Sequence, residues 1–291
     1  MLNKTTQLVR FDWAIKHILR DKANFVILEG FLSVLLKESV FIKAILSSQA
    51  NQTDDDDKYN DVDVLVENTK GEYIIIEVQN SKEHDYFHRM LFGASKVITE
   101  YIGEGKPYAD VKKIISITIA YFDLGQGKDY VYHGTTNFVG LRQGDTLNLS
   151  KKQEELYRKS SIYQIYPEYW LIKADLLNND SVQDDLDEWI YFFKNSEVLD
   201  HFKAQGLEAA KEKLNKLKLK PQEREEYERF VERLRKIASI KLTEMEDVKD
   251  LITEERKLQT IQIAKKLKNM GFSNEDINNA TGLFDDEINA L

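Results

Sequence analysis

The chain has 291 residues, 42% of them hydrophobic, with 14 Phe and 14 Tyr, which is enough apolar material for a substantial core and excludes a disordered chain. Its net charge of −9 excludes a generally basic, non-specific nucleic-acid coat, while leaving room for a local basic patch or for carboxylates gathered around a cation. The absence of cysteine excludes disulfides, thiolate zinc sites and cysteine nucleophiles, and fits a reducing compartment. The opening MLNKTTQLVRFDW has no apolar core of the signal-peptide type, and no apolar run reaches membrane-spanning length. A cytoplasmic protein without membrane contact is expected.

Trp13, Ile15, Ile18, Phe25, Leu28, Phe31, Leu32, Leu35 and Leu36 recur at three-and-four spacing and predict helix from Trp13 to Leu36. Glu29 lies beside that apolar face, either as an exposed helix carboxylate or as an acidic group facing a hairpin further along the chain. Asp54 to Lys58 is an acidic run and reads as a solvated loop. Asp61 to Gln79 is predicted to be that hairpin, with two β-rich runs either side of the turn formers Asn68, Thr69, Lys70 and Gly71. A helix comes next, from about Glu83 to Tyr101, with Tyr86, Met90, Leu91, Ala94, Val97 and Ile98 on one stripe. Val111 to Tyr121 predicts a buried strand, Tyr130 to His133 another, and Tyr169 to Ile172 an extended segment. The order implies an α/β domain with helices packed on a mixed sheet.

From Asp184 onward the β-branched runs vanish, so the domain boundary is expected between 183 and 184, with an all-helical region from 184 to 291. Helices are predicted over Asp184–Phe202 and Leu207–Lys218, and Pro221 is expected to break the chain before a charged helix from Glu223 to Met245. A further helix through Leu258, Ile261, Ala264 and Leu267 should close at Gly271, and Ser273 with Asp276 forms a capping-box sequence opening another that ends at Gly282. Short helices joined by glycine turns fit a helix-turn-helix or any small helical bundle.

The chemistry concentrates in the hairpin. Alternation along its strands places Asp61, Asp63 and Leu65 on one face, and Glu77 with Gln79 on one face of the second strand. Carboxylates on otherwise apolar strands are costly to bury unless a cation or a donor compensates. An Asp and a Glu on adjacent strands suit a hard divalent cation, although they would equally suit a solvent-facing hairpin. His84 and His88 stand one turn apart in an arrangement like a zinc-protease helix, but Asp85 replaces the glutamate such a site needs, so two ordinary histidines are the simpler reading. Gly125, Gly127 and Lys128 lack the spacing of a phosphate-binding loop and form a turn.

The segment Asp63…Glu77-x-Gln79 resembles the D…ExQ variant of the PD-(D/E)xK nuclease motif. The linked segments FDWAIKHIL, LEGFLSVLL, KYNDVDVLVENTKGEYIIIEVQN, DYFHRMLFGASKVITEYI and KKIISITIAYFDLGQGKDYVYHG, with the tail KNMGFSNEDINNATGL, resemble the recombination-promoting nuclease and transposase family of that superfamily. The resemblance implies a restriction-endonuclease-like mixed sheet flanked by helices with a helical C-terminal extension, and a metal-dependent DNA endonuclease linked to recombination or transposition. It implies Asp63 and Glu77 as ligands of Mg²⁺ (or Mn²⁺) and Gln79 in the place of the superfamily's lysine. Glu29 is implied as an accessory helix carboxylate and Arg89 as an accessory phosphate contact, with DNA as the partner and a homodimer suited to cutting both strands. Two departures weaken the expected activity: Gln79 removes a positive charge, and Val62 stands where the motif has proline. A catalytically silent DNA- or protein-binding descendant of such a nuclease is the competing expectation.

Overall fold

The computed structural model describes residues 8–46, 63–102 and 105–291. The expected acidic loop at 54–58 and Asp61 lie outside the described residues. In chain order the elements are α1 (Phe11–His17), α2 (Phe25–Leu36), β1 (Ile42–Leu46), β2 (Val64–Asn68), β3 (Tyr73–Gln79), α3 (Tyr86–Tyr101), β4 (Ile114–Ala120), β5 (Val131–Gly134), α4 (Lys151–Tyr157), β6 (Glu168–Lys173), α5 (Asp185–Asn195), α6 (Leu207–Lys213), α7 (Pro221–Asn269), α8 (Asn274–Thr281) and α9 (Asp285–Asn289). The strands form one mixed sheet in the order β1-β2-β3-β4-β6-β5. β3, β4 and β6 run parallel, and antiparallel strands flank them on both sides.

The central strands explain the order. β4 is buried along its whole length and β3 nearly so, as parallel strands covered on both faces must be. One face of the hairpin, through Leu65, Tyr73 and Ile75, packs with Ile114 against Ala94 and Val97 of α3. Val64, Val66, Ile74 and Ile76, which alternate to the opposite face, are buried as well.

The predicted helix over Trp13–Leu36 is broken in two. Asp21 accepts a hydrogen bond from the Ala23 amide and the Asn24 side chain donates to the Ile18 carbonyl, so local polar bonds replace the helical ladder between α1 and α2. β1 and α4 answer to no predicted element. Pro221 starts a helix instead of breaking one: it takes the first position of α7, where its missing N–H costs nothing, and the Glu223 carboxylate accepts from the Lys220 amide in front of it. The helices expected at 223–245 and 258–267 are a single one.

The chain forms two compact units, residues 1–224 and 225–291, so the first extends well past the boundary expected at 183. The reason is aromatic. Phe193 lies 4.5 Å from Phe11 between ring centroids, and Trp189 lies 5.5 Å from Phe31, so α5 completes the core begun by α1 and α2. Close approach of the backbone locks this contact: a Cβ on Gly30 would collide with the Gln205 carbonyl, whose oxygen also accepts from the Trp189 indole. In the second unit the end of α7 joins α8 and α9 around Ala264, Ile277, Leu283 and Ile288, and Ser273 and Asp276 form the expected capping box. No helix is long and apolar enough to cross a membrane among the described residues.

β6 joins a half-buried carboxylate to a buried lysine. Glu168 lies 3.2 Å from the Lys113 ammonium and also accepts from Trp170 Nε1, with His133 Nε2 at 2.8 Å. Burial on its own would raise this carboxyl, but the Lys113 charge and these hydrogen bonds outweigh it and hold the group below the ordinary value of 4.5. A carboxyl depressed on folding stabilises above its unfolded value and loses that contribution as pH falls through the folded value. Glu168→Gln is therefore expected to cost about 2 kcal/mol at pH 7. Urea melts across pH should show the gap between mutant and wild type closing below pH 4.5. A gap independent of pH would refute the assignment.

Candidate active site

The hairpin turn fixes the site. Asn68 is buried, and its side-chain oxygen accepts from the amides of Lys70 and Glu72, while Gly71 takes the left-handed conformation at φ 77° that closes the turn. The register that results pairs Val64 with Ile76 and so carries Asp63 opposite Glu77.

Asp63 is 7% exposed and immediately precedes β2. Its Oδ2 accepts from the Val78 amide at 2.6 Å, and its Oδ1 lies 2.7 Å from Lys16 Nζ on α1. Arg20, in the break after α1, donates to the Asp63 carbonyl at 2.7 Å. Two contacts therefore hold the carboxylate and a third holds the backbone beneath it.

Glu77 is 8% exposed, and its Oε2 accepts from the Tyr86 hydroxyl at 3.1 Å. Thr118, its neighbour in β4, lies 3.5 Å from the same hydroxyl. Burial raises the Glu77 carboxyl above the ordinary range; the Arg89 charge and the tyrosine hydrogen bond oppose this, and the Asp63 and Glu83 charges reinforce it. Burial and the Glu77 charge likewise push the Tyr86 phenol up.

Gln79 ends β3, and its amide donates to Glu83 Oε1 at 2.5 Å. Both oxygens of Glu83 accept from Arg89 Nη1, at 3.0 and 3.1 Å, and the Arg89 guanidinium lies over the Tyr86 ring at 5.8 Å. Glu83 thus ties Gln79 to Arg89. Next along the chain, Asn80 Nδ2 donates at 2.9 Å to buried Asp12, which also accepts from Arg10 Nη2 at 2.9 Å.

The structure brings Asp63, Glu77, Gln79 and Arg89 into one neighbourhood but not Glu29. Glu29 Oε1 accepts from the Ile42 amide at the start of β1, and Ile42 pairs with Asn68, five residues along β2 from Asp63. At the rise of a strand that is about 16 Å away. His84 precedes α3 while His88 lies on it, and both are exposed. Among the described residues no group of three His, Asp or Glu side chains could hold a metal ion. Sequence reasoning missed Lys16, Asp12, Glu83 and Tyr86. Asp12 and Lys16 carried a signal, being charged positions one helical turn apart in the apolar stretch FDWAIKHIL.

A six-stranded mixed sheet flanked by helices, with parallel β4 beside the β2–β3 hairpin, is the architecture of the PD-(D/E)xK nuclease fold. The family model described as PD-(D/E)XK nuclease family transposase matches residues 9–243. The chain belongs to that family, which gives it a nuclease or transposase-like function of the hydrolase kind, with DNA as the implied substrate and divalent metals as the general cofactors of such nucleases. No curated protein and no solved structure matches the chain.

Proposed function

We propose that this protein is a Mg²⁺-dependent DNA endonuclease, with Mn²⁺ able to substitute, acting in recombination or transposition. The observation that carries the reading is Asp63 held opposite Glu77 by the hairpin register. The donor set fits a hard cation: two carboxylates side by side, with water and phosphate oxygens to complete an octahedron. Burial raises the Glu77 carboxyl despite the nearby Arg89 charge, a cost that a bound cation would offset. Bound between them, the ion would supply an acidified water and neutralise charge on the scissile phosphate.

The chain's own residues do the positioning. Val78 N–H and Lys16 orient Asp63, and the Tyr86 hydroxyl fixes one oxygen of Glu77. Gln79 orients water or phosphate through its amide, since it has no charge to offer. Lys16 supplies from α1 the ammonium that β3 lacks; it is half exposed on a flexible stem, free to exchange Asp63 for a phosphate oxygen. Arg89 serves as a phosphate contact. The cysteine-free composition supports a cytoplasmic setting.

Thermal unfolding tests the metal site directly. A ligand that binds only the folded state at a hundred times its Kd stabilises by about 2.7 kcal/mol. Titration with Mg²⁺ is expected to raise the Tm of the wild type and leave that of Asp63→Ala unchanged. The competing reading, a binding module that does not cleave, draws on the capture of Gln79 by Glu83. It predicts DNA binding with neither cleavage nor any metal-dependent shift in Tm.

A further inference from the structure

Glu83 settles which way the Gln79 amide faces. Both of its oxygens accept from Arg89 Nη1, at 3.0 and 3.1 Å, and Oε1 also accepts from Gln79 at 2.5 Å. A carboxylate facing an arginine has acceptors to offer and nothing to donate, so the amide must meet it with nitrogen. Gln79 Oε1 is left for the site, and among the described residues no donor reaches it. Arg89 is steadied in turn by Tyr86, whose ring lies under the guanidinium at 5.8 Å and whose hydroxyl donates to Glu77. One chain of contacts therefore runs from the buried Glu77 carboxylate, through Tyr86, Arg89 and Glu83, to the Gln79 amide.

Gln79 follows Glu77 by two residues on β3, so the two side chains leave the same face, the one on which the register sets Asp63. Among the described residues no third Asp, Glu or His completes a metal cluster, whereas an amide oxygen is a ligand that hard cations accept beside carboxylates. On the metal-dependent nuclease reading, we propose that Gln79 Oε1 is a third ligand of the cation. Glu83 is the positioning residue that turns it there. Lysine at this place would bond Glu83 equally and bring no oxygen, so glutamine changes the position from a charge to a ligand.

The paramagnetic resonance of free Mn²⁺, which fades as the ion binds, reads the site on the full chain without cleavage. Wild type is expected to bind the ion, and Gln79→Met to weaken binding at least about tenfold with little change in the metal-free Tm. Glu83→Gln is the sharper variant because its size is unchanged. The new amide must turn oxygen to Arg89 and nitrogen to Gln79, which then gives up its own oxygen and faces the site with a nitrogen that has no lone pair for a cation. Mn²⁺ affinity should fall about ten- to a hundredfold. Gln79→Glu combined with Glu83→Gln restores the bond with donor and acceptor exchanged, and should bind Mn²⁺ at least as tightly as wild type. If Gln79→Met slows cleavage at unchanged Mn²⁺ affinity, the ligand assignment is overturned and Gln79 is left to orient water. Affinity indifferent to Glu83→Gln, or a double variant no better than Glu83→Gln alone, would overturn the positioning role. A wild type that binds no Mn²⁺ would remove the metal-site reading itself, whereas binding lost in Asp63→Ala but untouched by Gln79→Met would remove this proposal alone.

Discussion

Asp63→Ala and Glu77→Ala are each expected to lower the nicking of supercoiled plasmid in Mg²⁺ by about a thousandfold or more. Charge stabilisation by a bound metal is worth several kcal/mol in the transition state, and each 1.36 kcal/mol is a factor of ten in rate. The two substitutions should differ in their effect on the metal-free fold. Asp63→Ala gives up the bonds to Val78 and Lys16, whereas Glu77→Ala removes a carboxylate that burial already disfavours as an ion. Lys16→Ala should reduce cleavage by about a hundredfold, the scale seen when one stabilising donor is removed, with little change in Tm because half-exposed ion pairs contribute little. Equal nicking by wild type, Asp63→Ala and Glu77→Ala would remove the catalytic assignment altogether. Nicking lost with Asp63→Ala but untouched by Lys16→Ala would remove only the role given to the lysine.

A chain ending at 183 is not expected to fold. That cut deletes Trp189, Phe192 and Phe193, all fully buried, and strips Phe11 and Phe31 of their ring contacts with α5. Loss of each large aromatic costs about 3–5 kcal/mol. Three together reach the total stability of a domain, about 5–15 kcal/mol. Further bonds go with them, including Tyr121 to the Phe193 carbonyl and Tyr130 to Asp187. Circular dichroism on the fragment should show no cooperative melt, whereas the same measurement on residues 1–224 should. A cooperative transition in the shorter fragment would mean that α5 is an appendage and that the core closes before it.

Much of the frame is legible in the residues themselves. The hairpin announces itself because turn formers and β-rich runs act locally, and the same holds for β4, whose run of isoleucines has no other comfortable place. The pairing of Asp63 with Glu77 comes from alternation once the turn is recognised. Their surroundings are not legible, because Lys16 reaches Asp63 from a helix nearly fifty residues earlier, and no local rule sees that distance. Glu29 misleads for a related reason: helical periodicity can place a carboxylate beside an apolar face without saying which end of the sheet it meets. Its carboxylate is spent on the first amide of β1, a short strand whose sequence IKAIL carries little signal. The boundary at 183 fails because a change in composition is not a change in core, and the aromatic side chains of α5 belong to the earlier one. Pro221 has the residue type of a stop, yet its position makes it a start.

The turn at Asn68–Gly71 works as a gauge for the whole site. Side chains on a strand alternate, so a slip of one residue in the hairpin would send Asp63 to the opposite face and leave Glu77 facing a valine. The chemistry therefore tolerates almost any change in the size of the apolar side chains of β2 and β3 before it tolerates a single inserted residue between them. A length error of that kind would leave a protein whose fold survives and whose active site has lost its counterpart, and the two Asn68 hydrogen bonds that hold the turn are the fold's guard against it.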